Sequence, residues 1–118
     1  MSSDLRRSLA SQLRSSQAHA GLQRSLEGLS FRDAGRRADA HAHTAWELVE
    51  HLRRAAEDLV DYCRDEDYRM PSWPEAFWPD ESAPADAEAW RESREAIRSA
   101  VESMASLIED TDRPLFEP

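Results

Sequence analysis

Three of the four histidines, His41, His43 and His51, lie close together in the sequence, with Glu47 between them. On a helix, side chains four residues apart share a face, and imidazole and carboxylate groups are suitable ligands for zinc, nickel or iron. His43, Glu47 and His51 are at i, i+4 and i+8, and on a regular helix His43 and His51 are about 12 Å apart along the axis, so at most two of these three side chains can bind one ion. A metal site and an ordinary surface or packing role are both open. For the fourth histidine, His19, we expect packing or capping.

The other reactive side chains restrict the chemistry. All 15 basic residues are arginines, which excludes a Schiff-base lysine and a P-loop lysine. Cys63 is the only cysteine, so an intramolecular disulfide and a zinc site with two or four cysteines are excluded. Because Cys63 lies on the apolar stripe of a predicted helix, we expect it to pack in the core. The sequence contains no G-x-S-x-G motif, so nothing in it indicates a serine hydrolase.

Composition narrows the class of protein further. The 118 residues, 40% of them hydrophobic, predict a single domain over 1–118. The net charge of −9 disfavours a nucleic-acid partner, because a phosphate backbone would be repelled. No apolar stretch is long enough for a signal peptide or a membrane span. With one cysteine, which fits a reducing compartment, we expect a cytoplasmic protein without a membrane partner.

Helical periodicity predicts an all-α fold with three long helices, at about 3–29, 44–64 and 86–110. Leucines with helical spacing mark the first, at positions 5, 9, 13, 22, 26 and 29. The second begins with a capping box formed by Thr44 and Glu47, and Asp86 is a plausible N-cap for the third. In the second helix we expect an apolar stripe to face the core, consisting of Leu48, Leu52, Ala55, Ala56, Leu59 and Cys63.

The segment from Asp65 to Ala85 holds four of the six prolines and is too rich in aromatic residues for a disordered linker. Its Trp73-Pro74 and Trp78-Pro79 pairs allow two interpretations. They could form an aromatic wall that binds a ligand, or they could cover the ends of the helices with rigid side chains. The covering role is the favoured interpretation, because pockets are few in any one protein.

The order of these features resembles the DinB/YfiT-like superfamily. The resemblance covers about 18–114 and depends on T-A-W-E-L-V-E-H-L (44–52), on S-W-P-E-A-F-W-P (72–79) and on a helix entered through Trp90. It implies a four-helix bundle and a metal-dependent hydrolase or thiol transferase that acts on a small thiol or electrophile. His51 matches the first of the family's three metal ligands, which usually bind zinc or nickel.

The chain also departs from the family pattern. Family members continue into a fourth helix whose H-x-x-x-H pair supplies the other two ligands, whereas this sequence stops at Pro118. We therefore expect a domain that is incomplete at its C-terminus, with the fourth helix missing or supplied by a partner. Three amphipathic helices leave an unfinished core, which predicts a homodimer.

Two functions follow from these expectations. One is a DinB-like metal-dependent enzyme, or a truncated remnant of one, that holds zinc or nickel through His51. The other is a non-catalytic helical dimerisation or interaction module without a metal site. Its candidate anchors are the four tryptophans, since Trp is common among residues that dominate binding energy: Trp46, Trp73, Trp78 and Trp90.

Overall fold

A computed structural model describes residues 3–15 and 17–110 of the chain, and for 17–20 it describes the backbone. The all-α prediction is confirmed, since the described residues contain helices and no strand. Within these ranges the chain forms four α-helices: α1 (Ser3–Arg14), α2 (Gln17–Glu27), α3 (Ala45–Arg64) and α4 (Ala87–Glu109). Two short 3-10 turns lie between them, at Asp33–Gly35 and Glu75–Phe77. None of the described helices is both long and apolar enough to cross a membrane.

The single helix expected over 3–29 is two helices. α1 ends at Arg14, and the backbone N–H and the hydroxyl of Ser15 both donate to the Ser11 carbonyl, at 3.0 and 2.7 Å. Serine hydroxyls compete in this way for backbone carbonyls and weaken helix continuation. The leucine pattern hid the break because its two halves belong to separate helices.

The starts of α3 and α4 are where the capping signals placed them. The Thr44 hydroxyl accepts a hydrogen bond from the Glu47 N–H at 3.1 Å, and the Glu47 carboxylate accepts one from the Thr44 N–H at 2.8 Å. This backbone hydrogen bond, supported by Arg37, holds the pKa of Glu47 below its usual value. Asp86 accepts from the Ala89 N–H at 2.8 Å and caps α4.

Helix α4 is central, because it packs against both α1 and α3. The core formed with α2 and α3 consists of Leu26, Ala34, Val49, Trp90 and Ile97. The indole N–H of Trp90 donates to the Leu29 carbonyl at 3.1 Å, so its polar edge is satisfied while the ring is buried.

The loops before α3 and α4 pack closely together. A Cβ atom added at Gly35 would overlap with Ala83, so this approach needs a residue without a side chain. The Thr44 hydroxyl donates to the Ser82 carbonyl at 2.6 Å. These contacts fix the first turn of α3 relative to α4.

Helix α3 is rotated relative to the sequence prediction. The predicted core residues Leu48, Leu52 and Leu59 are 46%, 42% and 52% exposed, and Cys63 is exposed as well. The face turned towards α4 instead buries Val49, Glu50 and Val60. The prediction was wrong because it assumed that the charged face of the helix would meet water.

Glu50 explains how this charged face can be buried. Its carboxylate accepts two hydrogen bonds from Arg53, at 2.6 and 2.7 Å, and one from the Ser93 hydroxyl on α4 at 2.6 Å. Arg54 adds a longer contact at 3.4 Å. Burial alone would raise the pKa of Glu50, but the hydrogen bonds from Arg53 and Ser93 and the two positive charges outweigh it, so the pKa lies below its usual value.

We predict that this carboxylate makes the fold sensitive to acid. A lowered pKa in the folded protein means that the stabilisation is complete above the unfolded value near 4.5 and is lost as pH falls through the folded value. Glu50→Gln should cost about 1–3 kcal/mol at neutral pH and flatten this acid dependence in urea unfolding followed by circular dichroism. Glu95→Gln, which alters an exposed pair with Arg98, is the control and should change little. Equal acid profiles for wild type and Glu50→Gln would contradict the prediction.

Candidate functional site

The structure brings together two of the histidines singled out by the sequence. The imidazole of His51, in the second turn of α3, stacks on the indole of Trp78 with a centroid distance of 3.9 Å and an angle of 12° between planes. His43, just before α3, stacks on the same indole at 4.5 Å and 20°. His41 is exposed in the preceding turn, and the side chain of His19 lies outside the described residues.

A hydrogen bond fixes the protonation of one nitrogen of His51. Its Nδ1 lies 2.7 Å from the carbonyl oxygen of Phe77. A carbonyl oxygen can only accept, so Nδ1 carries the proton and donates. In the neutral ring Nε2 then keeps its lone pair, and this nitrogen is the one that could bind a metal or accept a proton.

We call residues 65–85 the aromatic segment. It is held along α3 by side chains of that helix. Arg54 donates to the Trp78 carbonyl at 2.8 Å, and Asp58 accepts a hydrogen bond from the Tyr68 hydroxyl. Phe77 is buried at the centre of the segment. Trp78 therefore covers α3, as the covering interpretation predicts, whereas Trp73 is 60% exposed.

The described side chains do not form the ligand set of a catalytic metal site. No group of three or more His, Cys, Asp or Glu residues converges anywhere in the described ranges. Glu47, the acidic residue between the histidines, is already bonded to Thr44 and to Arg37 at 2.9 Å. A catalytic zinc needs three protein ligands and an open position, and the described side chains do not supply three. His51 as a ligand stays a prediction.

A second feature is the apolar surface on the side of α3 opposite α4. We call Leu48, Leu52, Ala55, Leu59 and Tyr62 the outer face of α3. All five are exposed, Tyr62 by 65%. Their spacing alternates between four and three residues, the pattern of a helix seam that packs on another helix. This spacing was present in the sequence, but with three helices to pack together it predicted a core position.

Two residues of the aromatic segment are also apolar and exposed. Met70 and Trp73 are 62% and 60% exposed, and the Trp73 ring lies 6.3 Å from that of His51 on α3. Of the four tryptophans predicted as anchors, Trp46 and Trp90 pack in the core and Trp78 is partly covered, which leaves Trp73 exposed. Exposed apolar side chains that lie together, as along the outer face of α3, mark interaction sites.

A cleft of about 520 Å³ is lined by charged residues of α1 and α4, away from the histidines. Arg14 binds Glu102 at 2.8 Å across it, and Arg98 is paired with Glu95. These charges satisfy one another, so the cleft offers no concentrated charge for a ligand.

Comparisons with protein-family profiles, with curated proteins and with solved structures give no match. The outer face of α3 and the stack of His43, Trp78 and His51 are therefore the two candidate functional features of the described residues.

We predict that His51 stabilises the aromatic segment through both contacts. His51→Ala removes the stacking on Trp78 and the hydrogen bond to Phe77, and should lower the free energy of unfolding by about 1–2 kcal/mol in urea titrations. His51→Phe should recover part of the loss, because it restores stacking alone. His41→Ala, at an exposed position, is the control. If His51→Ala unfolded at the same urea concentration as this control, neither contact would be stabilising.

Proposed function

We propose that this chain is a non-catalytic helical interaction module that associates with a second copy of itself through the outer face of α3. The supporting observation is the row of exposed apolar side chains along this helix, whose opposite side packs on α4. A cytoplasmic location fits the single cysteine and is part of the proposal.

The outer face has the size and rigidity of a helix-pairing surface. From Leu48 to Tyr62 it extends for about 21 Å along the axis. Each half-exposed leucine that leaves water contributes about 1 kcal/mol, while Tyr62 and Trp73 are of the type that dominates binding energy. Because Glu50 and Val49 already hold α3 against α4, little backbone ordering opposes binding.

Charge acts against association of like copies. The net charge of −9 repels a second copy at long range, but the five residues of the outer face are uncharged. Salt screens the repulsion and leaves the apolar contact intact. Association through this face is therefore expected to strengthen as the salt concentration rises.

We predict a dimer that a charge on the outer face weakens. Leu52→Glu would bury a carboxylate in the contact, and should raise the dissociation constant by about tenfold or more in size-exclusion chromatography with light scattering over a concentration series. Leu5→Glu, which alters a leucine of α1 that is 48% exposed, should leave it unchanged. Circular dichroism checks that both variants remain helical. A wild-type monomer at high concentration, or equal weakening by both variants, would contradict the proposal.

The second candidate is a DinB-like metal-dependent enzyme, and one observation favours it. Metal-binding histidines commonly donate their other ring N–H to a backbone carbonyl, which fixes the ring and the tautomer. The bond from His51 Nδ1 to the Phe77 carbonyl has this form. In this proposal zinc or nickel binds at Nε2, further ligands come from outside the described residues, and a small thiol or electrophile is the substrate.

Metal content tests this second candidate. Elemental mass spectrometry of untagged protein purified without chelator should find about one zinc or nickel per chain. His51→Ala should lose the metal, whereas His41→Ala should retain it. Wild-type protein without metal would reject the enzyme proposal and leave the interaction module unaffected.

A further inference from the structure

We propose that the two copies pair antiparallel, with the α3 helices crossing at Ala55 on the two-fold axis. This inference rests on the proposed self-association and adds how the second copy lies. Two features of α3 support this arrangement: the order of side chains along the outer face and the distribution of charge along the helix.

The outer face is nearly symmetric about its centre. Ala55, its smallest member, has Leu52 three residues before it and Leu59 four residues after it. Leu48 and Tyr62 are each seven residues away. The large side chains thus lie on both sides of a small one, all exposed on the same side of the helix.

A two-fold dimer uses the same surface on both copies, and this symmetry suits an antiparallel pair. Leu52 then meets Leu59 of the second copy, and Leu48 meets its Tyr62. The two Ala55 residues meet at the crossing point, where small side chains allow helix axes to approach to about 8 Å. Large residues next to a small crossing residue fill the space where the helices diverge.

Charge distinguishes this orientation from the parallel one. The C-terminal end of α3 and the turn after it are acidic, with exposed carboxylates at Asp61, Asp65, Glu66 and Asp67 against one exposed arginine, Arg64. A parallel, in-register pair would place these acidic ends side by side, where like charges repel. An antiparallel pair separates them, and it also places the negative end of each helix dipole near the positive end of the other.

The flanks of the outer face agree with this pairing. One flank carries His51 and Asp58, which already have partners within the same copy: His51 stacks on Trp78, and Asp58 accepts a hydrogen bond from the Tyr68 hydroxyl. Ala56 and Cys63 form the opposite flank, where small side chains permit close approach.

Oxidative cross-linking of single-cysteine proteins tests the orientation. Ala55→Cys in a Cys63→Ser background should form a disulfide-linked dimer, because its two copies meet on the axis within the distance that a disulfide spans. Two controls should form no disulfide-linked dimer: Leu48→Cys in the same background, and the wild type, whose one cysteine is Cys63. In each, antiparallel pairing places the two cysteines of the dimer far apart. Cross-linking at all three positions would show a parallel pair and overturn the inference. Absence of cross-linking at Ala55→Cys in a protein that light scattering shows to be dimeric would also overturn it.

Ala55→Leu provides a second measurement that does not depend on oxidation. Leucine favours helix and should preserve the fold, but it fills the crossing point and forces the helices apart. We expect the dissociation constant to rise about tenfold. If the outer face were a generic apolar patch, the added leucine would tighten binding, and that result would overturn the inference. A wild type that is monomeric throughout would instead reject the proposed self-association itself.

Discussion

The buried Glu50 carboxylate is the interaction on which the arrangement of α3 depends. Arg53 and Ser93 supply three hydrogen bonds to it within 2.7 Å, and the bond from Ser93 joins α3 to α4. A buried carboxylate without these partners would be strongly unfavourable. Once the partners are in place, the charged side of α3 is the side that meets α4, and the leucines must face outward.

The stack of His43, Trp78 and His51 is a second constraint on the same helix. It attaches the aromatic segment to the first turns of α3, along one flank of the outer face. The imidazoles are therefore engaged in packing, and the hydrogen bond to Phe77 leaves Nε2 as the one nitrogen of His51 with an available lone pair in the neutral ring. Helix α3 thus carries two distinct surfaces, one aromatic and polar, one apolar.

Much of the fold could be predicted from local signals. Thr44 with Glu47 and Asp86 mark helix starts through hydrogen bonds made within the first turn, so no distant residue is needed to interpret them. The break after Arg14 was missed because a single serine is a weak signal for the end of a helix, and the leucine pattern continues beyond Ser15. The covering role of Trp78 could be predicted from the composition of the loop and from the place of Trp78 in it. Its two histidine partners could not, because they depend on the path that the loop takes in three dimensions.

The sequence by itself determined the helical class, the caps that begin α3 and α4, and the amphipathic character of each helix, because these depend on residues within a few positions of one another. Tertiary structure alone decided which side of α3 is inside. The spacing of Leu48, Leu52 and Leu59 is the same whether they face a core or water. The choice depends on Ser93, which is 43 residues from Glu50 in the chain. Its hydroxyl completes the hydrogen bonding of the Glu50 carboxylate, which allows the charged face of α3 to be buried.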